Sequence, residues 1–255
     1  MGVAMISLPF AAALTASVLS TSFISGVFGM AGGMILIGLL LSFMPLAPAM
    51  VLHGLTQIAA NLARAWSWRQ YIVRHVVLCY TAGALVAGVV VTTGLVAPTK
   101  PLALIFIGLV SLVGLHLPQS LTPNVMAPRQ AVGCGLVCTG LQLISGVSGP
   151  ILDLFFVRAG LARQQIIATK AAIQSIGHVL KLIYFGRLLL VEGGGISMVA
   201  VLLSIAAAVL GTLLSRCLID AMNDESFALW SRRLIAAIAA ISLTQGLFLQ
   251  FGRFE

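Results

Sequence analysis

Two sets of polar residues stand out of an otherwise apolar chain: His53, Gln57, Asn61 and Arg64, and Lys170, Gln174, His178 and Lys181. Their members correspond one to one at a constant offset of 117 residues. At 3.6 residues per turn each set falls within about 80° of arc and runs about 16 Å along its helix, so each is a stripe. The chemistry of the stripes is donor-rich: amides, imidazoles and cations, with Asp153 the one carboxylate nearby. Donors of this kind suit an anion with several oxygens.

Each stripe follows a glycine-rich break. Ile24-Ser25-Gly26-Val27 leads through Gly29, Gly32 and Gly33 to the first, and Ile144-Ser145-Gly146-Val147-Ser148-Gly149-Pro150 precedes the second. Helices starting after Gly33 and Gly149 would present free backbone N–H groups and a positive dipole end. The hydroxyls of Ser25, Ser145 and Ser148 stand beside them. Taken singly, Gln57, Asn61, Gln174 and His178 could as well bond to neighbouring helices, and the serines could be small-residue packing. Two aligned stripes at corresponding places favour the lining of a cavity. Lys170 and His178 are expected to balance the charge of an anion there. Arg64 and Lys181 lie toward the stripe ends, with Lys181 expected nearer the membrane interface, and are candidates for coupling or gating. Asp153 is either a proton carrier or the ion-pair partner of Lys170 or Arg158.

The elements that must position these residues follow from composition. Of 255 residues 60% are hydrophobic and 8% charged, against about 25% charged in a soluble domain. No Asp, Glu, Lys or Arg precedes Arg64. Uncharged runs recur at 1–52, 76–99, 101–115, 130–152, 196–215 and 234–252, against about 20 residues for a helical crossing. The runs do not alternate as barrel strands would. The fold class is therefore all-α, a polytopic membrane protein. Met1–Ser22 lacks a basic leading segment and reads as a retained first helix.

Met34–Met44 and Ile151–Val157 are too short to cross and read as re-entrant pieces, tolerated at membrane depth where protein or water covers them. Striped helices are expected over about 49–66 and 166–184, further helices over 75–94, 101–117, 130–147 and 196–215, and a polar loop over Arg216–Arg233 before the last helix. Pro118, Pro123 and Pro128 mark 118–129 as a linker between a first repeat, 1–117, and a second, 130–255. Trp66, Trp68 and Tyr71 among Arg64, Arg69 and Arg74 form an interfacial belt. If each break turns the chain back, Arg64, Arg69, Arg74, Arg129, Arg158, Arg163, Arg216, Arg232 and Arg233 share one side. Lys100, Lys181, Arg187 and Arg253 then take the other. The positive-inside rule prefers that division to an even one, which makes the repeats inverted with both termini outside, a recurrent transporter plan.

The motifs Ser25-Gly26-x-x-Gly29-x-x-Gly32-Gly33, Ser145 to Pro150, and Ile167-Ala168-Thr169-Lys170-Ala171 with Gln174, His178 and Lys181 resemble those of the sulfite exporter TauE/SafE family of membrane transporters. The resemblance spans almost the whole chain. It implies transport of a small sulfur-containing anion such as sulfite or an organosulfonate, commonly outward across a bacterial inner membrane. Two departures make the half-sites unequal: a shortened glycine run in the second half, and His53-Gly54 where such proteins often carry a small hydroxyl residue.

Other classes fit less well. No Gly-Lys-Ser/Thr phosphate loop is present, and neither histidines nor cysteines have a metal-ligand spacing, so no metal and no cofactor is expected. Cys134 and Cys138, at i and i+4, read as packing residues. An enzyme is not expected. The expected partners are the anion and the lipid bilayer, without nucleic acid despite the net charge of +8, and a homodimer is compatible with the reading. A channel or a non-transporting subunit remains the alternative.

Overall fold

In lipid the backbone must satisfy its own hydrogen bonds, which leaves helices as the solution for a chain of this composition. The computed structural model describes residues 7–28, 31–95, 98–215 and 224–251, and among these there are ten α-helices and no strands. They are α1 (Leu8–Phe28), α2 (Ala31–Phe43), α3 (Leu46–Ser67), α4 (Arg74–Val90), α5 (Lys100–His116), α6 (Pro128–Ser145), α7 (Gly149–Phe156), α8 (Arg163–Val191), α9 (Met198–Leu214) and α10 (Asp224–Phe251). Five are long and apolar enough to cross a membrane: α1, α3, α4 extended to Thr93, α8, and α10 from Arg232. Helices α5 and α9, of 17 residues each, reach about 25 Å, close to the hydrocarbon thickness. The 13 residues of α2 and 8 of α7 fall short of it.

Three boundaries differ from expectation. Helix α2 begins at Ala31, so Gly33 lies inside its first turn and not before it. Helix α8 runs on to Val191 because no turn residue stops it before Gly193, which takes a positive φ of 66°. Helix α10 begins at Asp224, so most of the expected polar loop is helical. Polar residues do not oppose a helix; they only exclude it from the apolar layer.

The helix pairings repeat. Helix α1 packs on α9 as α6 packs on α4, α3 packs on α9 as α8 on α4, and α2 on α10 as α7 on α5. The pairs α3–α8 and α5–α10 join equivalent elements. Each half thus lends one helix to the other. The approaches are close: a Cβ on Gly83 would lie 1.9 Å from the Val132 carbonyl oxygen, and one on Gly135 would lie 2.0 Å from that of Tyr80. Small residues at crossings are how membrane helices gain packing without a hydrophobic drive. The striped helices run antiparallel: His53 meets Lys181, whereas Val73, just beyond α3, donates its N–H to Thr169 Oγ1 at 3.0 Å.

Buried apolar side chains form two clusters. One gathers Met34, Ile37, Leu52, Leu104, Phe185 and Ala208, and the other Tyr80, Cys134, Cys138, Leu152, Phe155 and Ile173. The polar stripes lie where the clusters meet. The linker is tied to the end of α7: Val125 N–H donates to the Phe155 carbonyl at 2.9 Å, and Arg158 reaches the carbonyls of Ser120 and Thr122.

The second break is built on Gly146. It ends α6 in the left-handed region at φ 84°, with its N–H on the Gln142 carbonyl at 2.9 Å. A Cβ there would also lie 2.6 Å from Met50 Sδ. Gly146→Ala is expected to destabilise the protein by about 1–2 kcal/mol through the backbone alone. Met50→Ala relieves the contact but opens a cavity of its own, so the backbone cost should remain as the difference between the double variant and Met50→Ala alone. Thermal unfolding in detergent checks both, and a Gly146→Ala protein as stable as the wild type would refute the account.

Candidate functional site

The two stripes face one another across a cavity of about 20 Å³, room for about one water. Helix α3 contributes His53, Gln57 and Asn61, and α8 contributes Gln174 and His178. Ser25 comes from the end of α1, and Gly33 and Met34 from the start of α2. Gln142 of α6 and the second break, Val147, Ser148 and Gly149, complete the wall. Both short helices therefore begin at the cavity.

Three nitrogen atoms in this wall have no hydrogen-bond partner among the described residues: Asn61 Nδ2, Gln142 Nε2 and His178 Nδ1. Each residue is nearly inaccessible, at 2%, 1% and 4% exposure, so bulk water does not serve them. The amide orientations follow from their other ends. Arg64 donates to Asn61 Oδ1 at 3.2 Å, and Ser148 Oγ donates to Gln142 Oε1 at 3.3 Å, which leaves each NH₂ group without an acceptor. A buried polar group left unpaired costs about 1–3 kcal/mol, and such groups in a folded protein call for a ligand or water. Glycines make room for the amides. A Cβ on Gly177 would lie 2.6 Å from Gln142 Oε1, and one on Gly33 would lie 3.1 Å from Gln57 Oε1.

Beyond the cavity on one side lies Lys181. It is fully buried, contrary to the expected interfacial place, because α8 continues ten residues past it. Its Nζ donates to the Gly146 carbonyl at 3.1 Å and meets His53 Nδ1 at 2.6 Å, while His53 Nε2 is 2.9 Å from the Gly33 carbonyl. Ile37, Met50 and Phe185 are buried around the same level. The second half is thereby joined to the first through one imidazole.

On the other side a vestibule of about 940 Å³ adjoins the cavity, sharing Ser25, Met34 and Gln174 with it. Arg64, Trp68, Arg163, Lys170 and Asp153 line it. Lys170 is ion-paired with Asp153 and lines the vestibule and not, as expected, the anion cavity; it lies one turn before Gln174 on α8. Arg64 spans the two spaces, its other nitrogen donating to the Ser25 carbonyl at 3.4 Å.

Residues 3–244 match the sequence profile of the family described as Sulfite exporter TauE/SafE. The chain belongs to that family. Comparisons with curated proteins and with solved structures gave no match. This TauE/SafE protein is accordingly a multi-pass membrane transporter of the sulfur-anion exporter type, and not an enzyme.

Among the residues singled out from the TauE/SafE motifs, Ser25, Gly33, Ser148 and Gly149 reach the cavity. Ser145 does not: its hydroxyl is 2.8 Å from the carbonyls of Leu141 and Val147 and fastens the break. Gly32 is a packing residue, with a Cβ there falling 1.9 Å from the Thr21 carbonyl oxygen. Gly29 lies outside the described residues. Gln142 is the member that sequence reasoning missed. It stands one turn before Ser145 on the same helix face, and that i−3 spacing was the available signal.

The vestibule pair carries a prediction of its own. Asp153→Asn leaves the Lys170 charge uncompensated at the mouth of the site, which should draw anions in more strongly. The apparent KM for transport is expected to fall about two- to fivefold at low salt, and the gain should shrink as screening rises. A KM unchanged at every ionic strength would count against an anion route past Lys170.

Proposed function

We propose that this protein is a secondary exporter of a small sulfur-containing oxyanion, sulfite or an organosulfonate, working by alternating access in a bacterial inner membrane. The observation that carries the reading is the set of three unpartnered buried nitrogens, on Asn61, Gln142 and His178, around one cavity. The two amide NH₂ groups are donors without acceptors and fit an anion's oxygens, and His178 Nδ1 joins them in the tautomer that carries its hydrogen there. The amides of Gln57 and Gln174, the Ser25 and Ser148 hydroxyls and the starts of α2 and α7 lie in the same wall and would complete the binding set.

The repeated pairings and the antiparallel α3 and α8 support inverted repeats on either side of the cavity. The vestibule is lined by Arg64, Arg163 and Lys170, cations that the positive-inside rule would put on the cytoplasmic side. The opposite side is closed by the buried Lys181–His53 contact. A wide vestibule on one face and a closed wall on the other support a carrier over a channel. The anion would enter from the vestibule past Arg64 and the Lys170–Asp153 pair, and the cavity would widen around it, since a four-atom anion exceeds the room for one water. Release would require Lys181 to part from His53.

Purified protein tests this by binding sulfite, thiosulfate, sulfoacetate and taurine against carboxylates of matched size. Sulfur oxyanions should bind at least tenfold more tightly than the carboxylates. Counterflow in proteoliposomes should show uptake of labelled anion stimulated by unlabelled anion inside. Equal binding of the carboxylates would defeat the substrate class, and absence of trans-stimulation would defeat the carrier.

A further inference from the structure

Lys181 is a buried amine whose surroundings can be counted among the described residues. Its nitrogen has two acceptors, the Gly146 carbonyl and His53 Nδ1. The Gly33 carbonyl 2.9 Å from His53 Nε2 can only accept, so Nε2 carries the imidazole hydrogen and Nδ1 offers its lone pair to Lys181. Two acceptors satisfy both N–H groups of an uncharged amine. An ammonium would have a third N–H and a full positive charge, and among the described residues no carboxylate pairs with it. Asp153 is engaged by Lys170 about 16 Å farther along α8.

The other groups packed against this point carry no negative charge either. Helix α3 brings only His53, α8 only His178, whose ring lies edge-on to His53 at 5.5 Å between centroids. The α6–α7 break brings only carbonyls, and the starts of α2 and α9 have no charged residue. His53 and His178 both line the cavity, so Lys181 is one imidazole away from whatever occupies it. A cation buried this deeply is expensive without a counterion, and the cavity beside it is a place where a counterion would fit.

We propose that Lys181 and His53 form a proton site filled together with the anion cavity, so that each anion bound brings about one proton with it. This rests on the reading of the cavity as the anion site. Coupling is reciprocal: a proton on the pair tightens the anion, and the anion tightens the proton. The loaded carrier is then more nearly neutral, and a singly charged anion would cross the membrane with little net charge.

Calorimetry on the full-length protein in detergent decides it. Thiosulfate and sulfoacetate serve as probes because both are fully ionised near neutral pH, so a proton taken up belongs to the protein. Binding heats are compared in cacodylate and in Tris, buffers of different ionisation enthalpy that are not themselves sulfonates. For the wild type the heats are expected to differ by the equivalent of about one proton per anion. Lys181→Met should bind about tenfold or more weakly with equal heats in both buffers. Lys181→Arg, which keeps its charge at all pH values, should bind the anion with no buffer dependence, and serves if the methionine protein does not fold. Equal heats for the wild type would overturn the proton site while leaving the anion site standing. No heat with any probe would overturn the anion site and the proton site together.

Discussion

Gln142→Leu is expected to weaken anion binding about 10- to 100-fold while leaving the protein without anion at least as stable as the wild type. The two effects have one origin. The Gln142 residue is 1% exposed and its NH₂ group has no partner among the described residues, so without an anion that group contributes only its desolvation cost, about 1–3 kcal/mol. Leucine removes that cost at nearly the same volume, offset in part because Ser148 Oγ loses its acceptor at Gln142 Oε1. When an anion is present, the same NH₂ group would supply a charge-assisted hydrogen bond in a dry site, about 1.5–3 kcal/mol or roughly 10- to 100-fold in affinity. Thermal unfolding with and without anion separates the terms: the wild type should gain stability from the anion and Gln142→Leu should gain less. Asn61→Leu should behave alike, less a penalty for freeing Arg64. A Gln142→Leu protein that is destabilised yet binds as tightly as the wild type would make Gln142 a structural residue.

The second large effect concerns the two lysines. Lys181→Ala should cost far more than Lys170→Ala, although sequence position alone suggests the reverse. Removing Lys181 strips His53 Nδ1 and the Gly146 carbonyl of their donor in a fully buried place and opens a cavity behind them. Together these amount to about 2–5 kcal/mol, and transport should fall at least thirtyfold. Lys170 is partnered at the edge of the vestibule, where the Asp153 side chain is 43% exposed. Water takes over much of that interaction, so Lys170→Ala should slow transport only a few-fold. Flux per folded molecule, with the folded fraction read by size exclusion, checks the order. Equal losses would mean that the Lys181 tie does not set the state of the outer wall.

How far these features could be read beforehand depended on contrast. Amides and imidazoles in an apolar helix are conspicuous, so both stripes and their face were legible, as were the breaks, since glycine and proline interrupt helices by backbone chemistry. Gln142 was not conspicuous. It lies among Cys138, Thr139 and Ser145, small polar residues that membrane helices carry for packing, and only the fold turns it inward. The depth of Lys181 was hidden for a different reason: depth is measured from a helix end, and α8 ends only before Gly193, ten residues beyond Lys181, the last residue of the polar stripe. Lys170 was one of two ion-pair partners open to Asp153, and choosing it over Arg158 needed the register of α7 against α8, which no local pattern encodes.

The exchange of helices between halves bears on how the chain is made. Helix α4 finds α6 soon after synthesis, but α1 must wait for α9, from Leu8 to Met198, a separation of 190 residues. At about 5–20 residues per second, the α1 face that carries Ser22 and Gly26 stands unpartnered in the bilayer for roughly 10–40 seconds. Residues 1–117 produced alone should therefore be cleared quickly by membrane proteases, and supplying 118–255 as a separate chain should rescue them. The second half would act as the chaperone of the first.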